Sequence, residues 1–172
     1  MAVLPILRFP DPRLRLPCLP VLQIDDDLRK LATDMLDTMY AAPGRGLAGP
    51  QAGAMLRIFV MDVTWKDGIP SPRICLNPEI LDWSDEVATC MEGCLSIPGV
   101  PAEVTRPAEI TLQWTDLSGA VLEERLTGFA ATCAQHELDH LYGRLCIDLM
   151  PEAARVAASP ALAALAAAGA AA

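Results

Sequence analysis

The chain has 172 residues, of which 52% are hydrophobic and 20% charged, a composition typical of one folded domain with a sizeable core. Lys and Arg number 13 against 22 Asp and Glu, and the resulting net charge of -9 argues against binding of nucleic acid and against docking on an anionic membrane. No apolar run reaches the length of a bilayer span and the N-terminus is unlike a signal peptide, so we expect a cytoplasmic protein, monomeric by default.

The first helix is predicted from residue spacing. Apolar side chains recur at helical intervals from Leu28 to Met39, and the aspartates Asp25–Asp27 precede them, as the N-cap and first turn of a helix favour. Pro43 and the glycine after it end the pattern. We therefore expect an amphipathic helix at about 26–42, after a proline-rich, extended N-terminal stretch.

Short strands are predicted through the middle of the chain. Alternating apolar residues and turn signals place them at about 57–63, 73–76, 86–91, 108–115 and 120–126. The Asp-Leu-Ser-Gly sequence between the last two indicates a hairpin turn. A second helix is predicted at about 128–141, with Thr127 as its N-cap. The predicted fold class is α+β, with mostly antiparallel strands packed against helices.

Both histidines of the chain lie in one short segment, QHELDH, at Gln135–His140. On a helix, side chains at positions i and i+4 are neighbours about 5–6 Å apart, so His136 and His140 can bind one metal ion. Glu137 lies beside them, where its carboxylate can reach a metal-bound water rather than the metal. A catalytic site with an open coordination position needs a third protein ligand.

Cysteines supply three candidates for that ligand, and each predicts a different function. In HELDHLYGRLC, Cys146 stands where the third histidine of a metzincin box would stand, which indicates a metalloprotease. Cys90 together with Cys94 would complete a structural Cys2His2 zinc site, which indicates a binding module. Cys94 alone would leave one coordination position open for hydrolysis. The residue types by themselves leave all three open.

Three segments, taken together, resemble the motifs of peptide deformylases. GRGLAGPQ (Gly44–Gln51) is similar to the family's glycine-rich motif, EGCLS (Glu92–Ser96) matches the second, and QHELDH matches the third, in the family's order and spacing. The resemblance covers about residues 3–150. It implies a peptide deformylase-like catalytic domain over 1–150, and leaves an alanine-rich tail, 151–172, for which we expect helix or disorder.

The resemblance also implies an activity and a site. The family hydrolyses the N-formyl group from the N-terminal methionine of newly synthesised polypeptides and releases formate. Its fold has antiparallel sheets around a central helix that carries the histidine box. Transferred by position, Glu137 becomes the general base and then the acid, and Gln51 and the backbone N–H of Leu95 become oxyanion donors. The metal ligands become Cys94, His136 and His140.

The expected cofactor is one divalent metal ion, Fe2+ by the family's preference, with Zn2+, Ni2+ or Co2+ as alternatives. The expected partner is a formylated nascent peptide. In some relatives a basic C-terminal helix docks on the ribosome, but residues 151–172 carry one arginine and one glutamate, so such docking is not expected here. A supporting ion pair is expected between Glu92 and Arg106.

Departures from the family pattern concern substrate recognition rather than the metal. Arg45 stands where the family usually has a branched apolar residue, Cys90 and Thr132 replace aliphatic residues, and Pro101 stands where many relatives have arginine. We therefore expect altered methionine selectivity, with a hydrolase of another N-acylated peptide as the alternative. The substrate-binding residues implied by the resemblance are Gly44, Arg45, Gly46, Cys90, Gly93, Phe129, Thr132 and Cys133.

Overall fold

The chain forms helices and two antiparallel sheets over residues 2–169, the part that this computed structural model describes. No helix in that part is long and apolar enough to cross a membrane. In chain order the elements are α1 (Asp26–Ala41), β1 (Gly46–Ala48), β2 (Ile58–Met61), β3 (Arg73–Trp83), β4 (Val87–Cys94), β5 (Ile97–Pro107), β6 (Glu109–Thr115), β7 (Val121–Thr127), α2 (Gly128–Leu141) and α3 (Glu152–Gly169).

The larger sheet has the strand order β1-β2-β3-β6-β7 and lies between two helices. Strand β2 is buried throughout, because its alternate side chains serve opposite faces. Ile58 and Val60 pack with α1, while Phe59 and Met61 pack in the cluster that includes α2. This explains why β2 is uniformly apolar, a pattern typical of strands covered on both faces.

The smaller sheet is the hairpin of β4 and β5, and it packs against the C-terminal part of the chain. The inward side chains of β5, such as Val100 and Val104, join a cluster with Ile147 and with Leu162 and Leu165 of α3. Helix α3 is thereby attached to the hairpin rather than to the larger sheet. Because β4 ends at Cys94, the packing of this hairpin also determines where that cysteine lies.

Most predicted elements are present. Helix α1 begins after Asp25, whose carboxylate accepts a hydrogen bond from the Leu28 N–H at 2.9 Å, as expected of an N-cap. The turn between β6 and β7 is also confirmed, with Asp116 accepting from the Ser118 and Ala120 N–H groups. Thr127 occupies the N-cap position of α2, but its side chain makes no capping hydrogen bond.

Two strands were not predicted. Strand β5 carries Pro98, Gly99 and Pro101, which argue against a strand in a sequence pattern, yet it pairs with β4 along most of its length. Strand β1 is only three residues long and lies inside the glycine-rich segment. Strand β3 also continues to Trp83, beyond its predicted end at residue 76.

Candidate active site and metal centre

Three side chains that can bind a metal converge where the end of β4 meets the middle of α2. The ligand atoms of Cys94, His136 and His140 all lie within 4.8 Å of one another. The Cys94 Sγ atom is 3.4 Å from Nε2 of His140, and all three residues are buried. The helical spacing predicted for the two histidines therefore brings them together, with ring centroids 5.0 Å apart.

The donor set fits a divalent transition metal. His136 uses Nδ1 for a 2.8 Å hydrogen bond with Glu92, which leaves Nε2 free, an arrangement typical of histidines that bind metals. Burial lowers the pKa of His136, but the hydrogen bond to Glu92 and the nearby negative charges, Glu137 among them, together raise it to about 9, so a proton competes with a metal for this ring. Two imidazoles and one thiolate suit Fe2+ or Zn2+ and leave an open coordination position.

The other two cysteine candidates do not join this group. Cys90 lies on β4 with its side chain exposed. Cys146 is buried in a short 3-10 turn after α2, and among the described residues it does not complete a group with both histidines. Cys94 is thus the cysteine whose sulfur approaches both rings, which supports the open-site arrangement over the other two.

An ion network behind His136 holds the site in place. Arg106 donates to both carboxylate oxygens of Glu92, at 2.6 and 3.0 Å, and to Asp139 at 2.8 Å. The expected Glu92–Arg106 pair is therefore confirmed, although it is buried and includes Asp139 as well. Burial raises the pKa of Glu92, but the hydrogen bonds from His136 and Arg106 and the charges of these two groups together lower it below its ordinary value, which favours the ionised carboxylate.

Glu137 is buried beside the three candidate metal ligands and lies against strand β1. Burial raises the pKa of its carboxyl to about 7, the range in which a group can both accept and return a proton. Its Oε2 atom has no hydrogen-bond partner among the described residues. A Cβ atom on Gly46 would lie 2.2 Å from Glu137 Oε1, so only glycine allows β1 to approach this closely.

Gln51 presents an amide donor to the same place. Its Oε1 accepts from the Ala48 N–H at 2.8 Å, which orients the amide. Its Nε2 then points to Ser96 Oγ at 3.1 Å and to Cys94 Sγ at 3.5 Å. Leu95, the other predicted oxyanion donor, directly follows Cys94 and lines the same cavity.

A cavity of about 580 Å³ leads to these groups. Cys90 is the one predicted substrate residue outside its lining, since its side chain is exposed elsewhere on β4. Arg45 is half-buried, with Nη1 donating to the Val63 carbonyl at 2.8 Å and its guanidinium 5.2 Å from the Phe129 ring centroid. The predicted substrate residues that do line the cavity are Gly44, Arg45, Gly46, Gly93, Phe129, Thr132 and Cys133.

Comparison with known proteins agrees with this geometry. The sequence profile of the polypeptide deformylase family matches residues 3–156. The chain belongs to the polypeptide deformylase family. A peptide deformylase of Nitrobacter hamburgensis is 50% identical over 152 residues, which cover 86% of this chain and 87% of that protein.

Solved peptide deformylase structures superpose closely on this chain. That of Legionella pneumophila has a TM-score of 0.88 at 38% identity and covers 95% of both chains. That of Synechococcus elongatus, in complex with actinonin, has a TM-score of 0.89 at 37% identity and covers 95% of this chain and 88% of its own. The predicted α+β deformylase fold is confirmed.

Sequence reasoning missed several residues of this deformylase-family site. Asp139 lies inside the histidine box, and Ser96 ends the second motif, but neither received a role because a hydrogen-bond partner far along the chain is not visible in a motif. Lys66, also missed, lines the cavity from a short 3-10 turn after β2. Of these residues, only Asp139 could have been singled out from the sequence, because it is an acidic residue one helical turn from His136.

Proposed function

We propose that this chain removes the N-formyl group from the N-terminal methionine of newly synthesised polypeptides, by hydrolysis, and releases formate. Membership of the deformylase family supports the reaction. The observation that carries it to this chain is the convergence of Cys94, His136 and His140 beside the buried Glu137, at the end of an open cavity. Such hydrolysis takes place where nascent chains are made, so we expect the protein to act in the cytoplasm.

One divalent metal ion, held by Cys94, His136 and His140, completes the proposed site. When bound, the ion lowers the pKa of a water molecule and stabilises negative charge on a carbonyl oxygen. We expect Fe2+, which this ligand set suits, with Zn2+, Ni2+ and Co2+ as alternatives.

Glu137 is the proposed proton carrier. Its carboxylate takes a proton from the water whose oxygen adds to the formyl carbon. The C–N bond then breaks, Glu137 gives its proton to the departing amine, and formate leaves as the second product. A pKa of about 7 suits both transfers, because neither direction is strongly uphill near neutral pH.

Gln51 and the backbone N–H of Leu95 are the proposed donors to the oxygen that becomes negative. The hydrogen bonds of Gln51 with Ala48 and Ser96 hold its Nε2 in one orientation before substrate arrives. A donor fixed in this way contributes about 2.7–4 kcal/mol to transition-state stabilisation in comparable sites.

Strand β1 is the proposed docking edge for the peptide. It is the end strand of the larger sheet, paired on one side with β2. The Arg45 carbonyl accepts from Asp62 N–H on the β2 side, so by alternation the N–H and C=O of Gly46 face the opposite edge, towards the cavity. An extended peptide can pair with that edge as an added strand.

Metal content and formate release for three variants, measured with a formyl-methionyl peptide, test the proposal. Cys94→Ala should lose both metal and activity, whereas Cys146→Ala should keep metal. Glu137→Ala should keep metal but lose turnover by about 10²–10⁴-fold. Loss of metal in Cys146→Ala would instead favour the protease-like site. A joint requirement for Cys90 and Cys94 without formate release would favour a structural zinc site.

A further inference from the structure

Two cationic side chains line the substrate cavity near β1. Arg45 and Lys66 both contribute to its wall, and among residues 2–169 neither forms an ion pair with a carboxylate. Their positive charge is therefore available to a ligand in the cavity.

Neutral groups hold both cations in place. Arg45 donates to the Val63 carbonyl at 2.8 Å and packs against the Phe129 ring. The Lys66 ammonium donates to the Pro43 carbonyl at 2.5 Å and lies 5.5 Å from the Trp65 ring centroid. Carbonyl and aromatic contacts position a cation without neutralising its charge. These contacts fix the Arg45 and Lys66 side chains beside the proposed docking edge.

The other charged groups that line the cavity are already committed. Glu92 is bound by Arg106 and His136. Glu137 is buried next to the metal ligands, where the proposed reaction uses it. Arg45 and Lys66 are the remaining charges of the lining, so an acidic group of the substrate is the partner that the cavity lacks.

Strand geometry indicates which part of the peptide can supply that group. In an extended chain, side chains two residues apart point to the same side and are about 6.6–6.8 Å apart. If the first side chain enters the part of the cavity formed by Thr132, Cys133 and Phe129, the third emerges on the same side. Arg45 packs on Phe129, so its charge lies next to the part of the cavity assigned to the first side chain.

We infer that Arg45 and Lys66 form a subsite for an acidic side chain at the third residue of the formylated peptide, Arg45 being the main determinant. The inference rests on the proposed deformylase function and makes its substrate class narrower. It also assigns a use to Arg45, a departure from the family motif that lines the cavity.

The test compares kcat/KM of the metal-loaded protein for formyl-Met-Ala-Glu, formyl-Met-Ala-Gln and formyl-Met-Ala-Lys. We expect the glutamate peptide to exceed the glutamine peptide about fivefold, mainly through KM, and the lysine peptide to be the poorest. The ratio should fall as salt is added, because salt screens a partly exposed pair. Formyl-Met-Glu-Ala should not gain, since its acidic side chain points the other way.

Variants assign the effect to the residues. Arg45→Met should bring the glutamate-to-glutamine ratio close to one, Lys66→Met should reduce it by less, and Arg45→Lys should retain part of it. Arg29→Met is the matched control, because Arg29 is an exposed cation on α1 outside the cavity, and it should leave the ratio unchanged.

Three results would overturn the inference. They are a wild-type ratio near one, a ratio that persists in Arg45→Met, and an equal gain from glutamate at the second position. These outcomes leave formate release intact, so they are separate from failure of the proposed function. Absence of formate from every formyl peptide would overturn both together.

Discussion

At the scale of single residues, the Glu137 side chain on α2 lies against the backbone of Gly46 on β1. The absence of a side chain at Gly46 lets the proposed docking edge of β1 come within reach of the carboxylate that we propose carries the proton. A peptide paired with β1 would therefore have its scissile group next to Glu137. The role proposed for Gly46 depends on this approach and not on backbone freedom, because its φ is not positive.

Gly46→Ala tests this contact. Its new Cβ would meet Glu137 Oε1 at 2.2 Å and Cδ at 2.7 Å, so either the carboxylate or the strand must move. We expect kcat to fall by about 10²-fold, as misplacement of reacting groups by about 1 Å can cause. The metal content should stay near that of the wild type, because no metal ligand is touched. A variant with unchanged kcat would show that the close approach has no catalytic role.

Glu92 gives a prediction about pH. Burial raises the pKa of its carboxyl, but the hydrogen bonds from His136 and Arg106 and the charges of these groups together bring it below the ordinary value of 4.5. A carboxylate with a lower pKa in the folded chain stabilises the fold above about pH 4.5, and that contribution is lost as the pH falls through the folded pKa.

The free energy of unfolding, measured with urea on metal-free protein, should therefore decrease as the pH is lowered from about 4.5 towards the folded pKa. Glu92→Gln, which cannot ionise at this position, should be less stable at the higher pH but decline less steeply. Parallel curves for the two proteins would mean that Glu92 does not contribute to the acid sensitivity.

At the scale of elements, the sequence predicted those whose pattern arises within one segment. The helices α1 and α2 were found from apolar spacing and caps, and the β6–β7 hairpin from its turn residues. Strand β5 was missed because its extended conformation depends on pairing with β4 and on packing against α3. Its prolines, taken locally, argue against a strand. The metal ligands could be proposed from motifs, whereas Asp139 and Lys66 depend on contacts between elements.

Arg106 joins three elements, since it lies on β5 and binds Glu92 on β4 and Asp139 on α2. Arg106→Met should cost about 3–5 kcal/mol in the free energy of unfolding, because the buried Glu92 loses its guanidinium and Asp139 keeps only its pair with the more exposed Arg144. Arg125→Met is the control. Arg125 pairs with Asp82 and Glu109 on the surface, and its loss should change stability little. Equal effects of the two variants, measured by urea unfolding, would contradict the assigned role of Arg106.

For the whole molecule, the proposed metal would connect two parts that otherwise meet through side-chain packing and the Arg106 ion pairs. Cys94 ends strand β4, at the turn of the β4–β5 hairpin, and this hairpin packs with α3. The two histidines lie on α2, which packs with the larger sheet. An ion bound by all three ligands would link the two hydrophobic clusters directly. It would stabilise the folded chain as any ligand of the native state does, by about 2.7 kcal/mol when its concentration is 100 times its Kd.

Metal removal should therefore lower the Tm of the entire chain in a single transition. Thermal unfolding with and without a chelator measures this, and Cys94→Ala provides the reference, because a protein that cannot hold the ion has nothing to lose to the chelator. We expect a clear decrease in Tm for the wild type and almost none for Cys94→Ala. If the chelator lowered both Tm values equally, the stabilising metal would bind elsewhere. If it lowered neither, the two parts would be held together by the Arg106 network and apolar packing alone, and the metal would serve catalysis without contributing to the fold.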